Sequence, residues 1–212
     1  MEKLQFINFA YIIAAVLFIF GIKMLGSATT ARRGNMISSI GMLLAVVVTL
    51  FKGGLDFTWI IAGIAIGTAI GGICAKKVQM TGMPELVALF NGFGGLASVL
   101  VGWAEFAKDP TFGGEGGMIK GTAVVLAILI GAITFTGSIV AYLKLSGKIG
   151  GSATVFPGQK IVNAGVLVAI VVIGVLFVIS PSANLVYLLI GLSCLLGVLG
   201  VIPIGGGDMP VV

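Results

Sequence analysis

Histidine is absent from these 212 residues, cysteine occurs only twice, and charged residues make up 9% of the chain. Each shortage removes a class of chemistry. Without histidine there is no Ser/His or Cys/His nucleophile pair, and acid/base work would rest on isolated carboxylates. Cys74 and Cys194 both fall within or at the ends of apolar runs, have no metal-ligand spacing, and read as small packing residues. Zinc chemistry is excluded on the same grounds. An ordinary soluble domain is about 25% charged, so the scarcity of charge argues against a water-soluble fold.

What the chain has instead is apolar length: 58% hydrophobic residues and a mean hydropathy of +1.23. The runs are continuous rather than alternating. A bilayer interior cannot hydrogen-bond an exposed backbone, so continuous runs of about 20 residues predict helices that satisfy their own amides. We expect an all-α polytopic transmembrane bundle with spans near 7–25, 36–51, 57–75, 84–106, 121–143, 162–180 and 184–203. These make seven complete crossings, and the start of an eighth is expected at Asp208. The whole of 1–212 reads as one transmembrane domain. No small-residue cleavage pattern follows Phe20, so the first run reads as a retained span rather than a secretory signal.

The net charge of +5 is unevenly placed. The first, third and fifth loops carry Lys23, Arg32, Arg33, Lys76, Lys77, Lys144, Lys148 and Lys160, with Glu85 the one acid nearby. The opposite loops mix Lys3, Lys52, Lys108 and Lys120 with Glu2, Asp56, Glu105, Asp109 and Glu115. The positive-inside rule then predicts an outside N-terminus and a cytoplasmic Asp208. Membrane topology accounts for the basic residues, and no nucleic-acid partner is expected.

Small residues recur at helical spacing in Gly63-x3-Gly67-x3-Gly71, which reads as a helix-packing stripe. The glycine-rich loops Phe112-Gly113-Gly114-Glu115-Gly116-Gly117 and Ile204-Gly205-Gly206-Gly207-Asp208 are not phosphate cradles, because no strand precedes either one. A short repeat stands out: Gly82-Met83-Pro84-Glu85 opens the fourth span, and Asp208-Met209-Pro210 would open the next. Proline suits a first helical turn, and a carboxylate beside it favours the helix N-terminus. Helix capping alone would explain both carboxylates. Internal repeats also occur in proteins that move ions, with the site between the copies.

Polar side chains inside hydrocarbon are costly and usually face the bundle interior or a water-filled path. Asn91 leads this set, and on a helical wheel it shares a face with Ala88, Gly95 and Ser98. An amide can donate and accept hydrogen bonds but does not titrate, so Asn91 can relay a proton through water without storing it. Thr134 and Ser138 lie four residues apart on one face of the fifth span, with Thr136 turned away. Their hydroxyls can line the same interior or bond back to their own helix. Asn163 and Asn184, near span ends, are assigned no chemistry.

The run Ala75-Lys76-Lys77-Val78-Gln79-Met80-Thr81-Gly82-Met83-Pro84-Glu85-Leu86-Val87-Ala88 resembles the β subunit of the proton-translocating NAD(P) transhydrogenase. Phe135-Thr136-Gly137-Ser138-Ile139-Val140-Ala141, Lys144-Leu145-Ser146-Gly147-Lys148, Phe156-Pro157-Gly158-Gln159-Lys160 and Ile204–Val212 extend the resemblance over essentially the whole chain. It implies the membrane part of an enzyme, not catalytic by itself, that couples hydride transfer from NADH to NADP+ to proton translocation across a prokaryotic cytoplasmic membrane. NADP(H) and NAD(H) are then bound elsewhere: the first by a cytoplasmic domain of the same β subunit, the second on the α side. The implied partners are that domain, α subunits with their membrane helices, the lipid bilayer and a dimeric complex. Many members place a histidine where this chain has Asn91, so the titrating group is expected from a partner α-subunit helix. Asn91, Ser138, Thr134 and Ser98 are then expected to line the proton path, and Glu85 and Asp208 to act in coupling at the interface. A secondary transporter or channel is the competing class, and a purely structural anchor a third. NADPH-dependent proton flux, nucleotide-independent substrate flux, or no flux separates them.

Overall fold

The computed structural model describes residues 2–51, 56–112 and 116–208, with side chains from residue 5 onward. Among the described residues, seven helices are long and apolar enough to cross a membrane. They are α1 Glu2–Leu25, α2 Ala31–Leu50, α3 Phe57–Lys77, α4 Met83–Lys108, α5 Gly117–Leu145, α6 Gln159–Ile179 and α7 Ala183–Val201. Each expected span lies within or nearly within one of them, and no strand occurs among the described residues. The helices overrun the expected spans because hydropathy marks the hydrocarbon, whereas helical hydrogen bonding continues into the polar interface. Met209 and Pro210, which would open an eighth span, lie outside the described residues, as do Lys52, Gly113, Gly114 and Glu115.

Local chemistry explains several ends. Pro84 occupies the first turn of α4, as its sequence position predicted, and Glu85 follows it there. Gly116 and Gly158 precede α5 and α6 with φ of 85° and 79°, a left-handed conformation that a side chain would strain. Ser182 caps α7, its hydroxyl oxygen accepting from the Leu185 amide at 3.4 Å.

The chain divides into two compact units, Met1–Gly71 and Gly72–Val212, with the boundary inside α3. In the first, α1 and α2 form an antiparallel hairpin. Gly21 and Gly34 let the backbones touch: a Cβ on either would stand 2.9 Å or 2.7 Å from the other's carbonyl oxygen. The stripe Gly63, Gly67 and Gly71 on α3, expected to pack, meets nothing within 4 Å.

In the second unit, α5 packs against α4, α6 and α7. Its apolar centre is Ile128, Ile170, Phe177, Val186 and Leu189, all fully buried. One end is closed by Phe106, Phe112 and Phe177, with ring centroids 5.6–6.3 Å apart. Polar burial collects toward the other end, where Ser138, Lys144 and Gln159 are buried.

Candidate functional site

Asn91 and Ser138 reach each other because α4 and α5 come unusually close. A Cβ on Gly95 would lie 2.6 Å from the Gly131 carbonyl oxygen, and one on Gly131 would lie 2.6 Å from that of Gly95. With glycine at both positions the backbones pass side by side. One turn toward the start of α4, Asn91 Nδ2 donates to Ser138 Oγ at 2.9 Å.

That pair borders a cavity of ≈ 250 Å³ lined also by Thr134, Gly137, Val201 and Ile204. The volume admits several waters, and within a mostly apolar lining Asn91, Thr134 and Ser138 offer them partners. At 1.5 Å per residue, Asn91 lies about 12 Å along α4 from its start, within the hydrocarbon depth of a crossing helix. Ser138 is buried, whereas Asn91 keeps an exposed flank in this chain.

Thr134 lines the cavity, one of the two alternatives that its spacing from Ser138 left open. Ser98 does not: its hydroxyl donates back to the Gly94 carbonyl at 3.2 Å, the intrahelical alternative open to any membrane-helix serine. Thr136 does face away, and its hydroxyl contacts the carbonyl oxygens of Ala132 at 3.0 Å and Cys194 at 2.8 Å, tying α5 to α7.

The end nearest the cavity gathers the charged candidates. Glu85 is half-buried in the first turn of α4, and Asp208 is exposed at the end of a single 3₁₀ turn, Gly206–Asp208. Lys148 donates to the Tyr142 hydroxyl at 2.9 Å. That bond, with a lesser attraction to Glu85, holds the Lys148 ammonium above the ordinary lysine pKa. Lys148 therefore stays cationic throughout the physiological range.

Two residues at this end figured in the sequence only as a loop charge or within the family-like stretches, not as site candidates. Lys144 is 4% exposed, and its ammonium donates to the carbonyl oxygens of Ser152 at 3.2 Å, Ile204 at 2.8 Å, and Ile202. Gln159 is buried at the start of α6 and donates to the Leu199 carbonyl at 3.0 Å. A lysine closing an apolar run resembles any topogenic charge, and two of its three acceptors arrive only with the return of α7 some 58 residues later. No group of three or more possible metal ligands occurs among the described residues.

Comparison with known proteins gives this geometry a family. Residues 7–212 match the family described as NAD(P) transhydrogenase beta subunit. The chain belongs to the transhydrogenase β-subunit family. Two curated relatives from Rhodospirillum rubrum, one assigned to a named strain, are each called NAD(P) transhydrogenase subunit beta. Each is 42% identical over 208 residues, covering 96% of this chain and 45% of the relative. The chain thus spans less than half the length of these transhydrogenase β subunits.

Proposed function

We propose that this chain forms part of the proton path of a transhydrogenase that couples hydride transfer from NADH to NADP+ to proton translocation. The observation that carries the proposal is the Asn91–Ser138 hydrogen bond bordering a cavity between α4, α5 and the end of α7. An amide and a hydroxyl suit a relay because their bond can reverse. With the amide turned about, Ser138 donates to Oδ1 instead of accepting from Nδ2, so a water chain through the cavity can reset after each proton passes. Neither group titrates, so the proton-holding residue comes from outside this chain. The exposed flank of Asn91 supports a helix of the α subunit as its source, since a bare amide at that depth is costly against lipid.

The cavity wall at Val201 and Ile204 leads along the chain to Asp208, which with Glu85 would pass the state of the path to the nucleotide-binding parts. NADP(H) is bound by a cytoplasmic domain of the same subunit, NAD(H) by the α subunit, and the assembly is dimeric. The loop charges orient it with an outside N-terminus and a cytoplasmic Asp208 in a prokaryotic cytoplasmic membrane. Replacing Asn91 by Leu in the assembled complex tests the path. Proton pumping is expected to fall along with the transhydrogenation coupled to it, and undiminished pumping would exclude Asn91 from the route.

A further inference from the structure

Resting on that reading, we propose that Lys144 is a positioning residue that pins the turn between α7 and Asp208, so that the cavity wall and the coupling carboxylate move as one piece. A lysine ammonium has three N–H donors, and all three here go to backbone carbonyl oxygens. Two acceptors, Ile202 and Ile204, belong to the turn leaving α7, and the third, Ser152, belongs to the loop between α5 and α6. The charge also sits in the last turn of α5 and against the carbonyl end of α7, where both helix dipoles favour a cation.

Two backbone bonds close the same unit: the Thr154 amide donates to Ile202 O at 3.2 Å, and the Gly206 amide to Gly151 O at 2.8 Å. Loop 151–154 and turn 202–206 are thereby laced together around one ammonium. On one side, Val201 and Ile204 form the wall facing Asn91 and Ser138. On the other, the 3₁₀ turn Gly206–Asp208 follows directly. Removing the ammonium takes a donor from three carbonyls beside a lysine only 4% exposed. Ile202 O keeps the Thr154 amide and Ser152 lies in an exposed loop, but Ile204 O in the half-buried turn loses its donor, so the turn opens toward water to satisfy it. A shift of Asp208 would then no longer reach the cavity wall.

The test uses the complete complex in membrane vesicles carrying Gly205→Cys. A Cβ at Gly205 meets nothing closer than 3.5 Å, so the probe fits the native turn. Labelling by a water-soluble maleimide is read above the background of the same complex with Gly205 unchanged. Lys144→Met is expected to speed labelling roughly tenfold, as a shift in a local opening equilibrium does, and to lower the protons pumped per hydride transferred. Lys144→Gln, which keeps two N–H donors on a shorter arm, is expected to fall between, and it serves alone if the methionine variant does not assemble. Labelling at the unsubstituted rate in the assembled variants overturns the pin. Faster labelling with an unchanged proton-to-hydride ratio overturns its coupling role. Failure of the proton-path reading shows separately, as normal pumping in Asn91→Leu with the Lys144 labelling response intact.

Discussion

The Asn91–Ser138 bond is the smallest unit on which the functional reading depends, and it can be weighed directly. Interhelical hydrogen bonds in membranes contribute about 0.6 kcal/mol on average and up to about 1.7. A double-mutant cycle of Asn91→Ala and Ser138→Ala, read from thermal unfolding of the purified complex, should return a coupling in that range. Additive losses would mean that the two side chains do not act together. Sequence pointed to Asn91, Thr134 and Ser138 because polar groups in an apolar run are conspicuous. It gave Ser98 equal standing, since a helical wheel shows which residues share a face but not whether a hydroxyl is already spent on its own helix. Lys144 was hidden for the converse reason. Its position looks like ordinary loop charge until the end of α7 supplies two of its three carbonyl acceptors.

At the scale of helices, glycine is decisive only where a second backbone arrives. Gly94 and Gly95 are neighbours on α4, yet a Cβ at Gly94 meets nothing within 4 Å, whereas at Gly95 it would stand 2.6 Å from Gly131 O. Gly95→Ala is therefore expected to cost about 1–3 kcal/mol through overpacking. Gly94→Ala should be neutral or stabilising by up to about 1 kcal/mol, as alanine favours a helix interior. Thermal unfolding of the two purified variants compares them, and equal losses would refute the close approach of α4 and α5. The stripe Gly63, Gly67 and Gly71 has the stronger sequence pattern, yet it has no neighbour within 4 Å. Spacing establishes that small residues share a face, not that another helix covers it.

For the whole molecule, the charge asymmetry of the loops makes a prediction about sidedness. A water-soluble thiol reagent should reach Lys160→Cys from the cytoplasmic face and Thr111→Cys from the opposite face, and labelling of both from one face would contradict the topology. The number of crossings and their approximate limits were legible in the sequence because hydrophobic length answers to bilayer thickness, a constraint acting on each segment independently. The stretches carrying the transhydrogenase resemblance were equally legible, being contiguous. Tertiary structure alone decided which glycines admit a neighbouring helix, that Thr136 joins α5 to α7, that Ser98 stands apart from the cavity, and that Lys144 gathers carbonyls from two loops. The Gly95–Gly131, Thr136–Cys194 and Lys144–Ile202 approaches each join residues about 35 to 60 positions apart along the chain. No segment read by itself contains both partners, and only helix packing brings them within hydrogen-bonding distance.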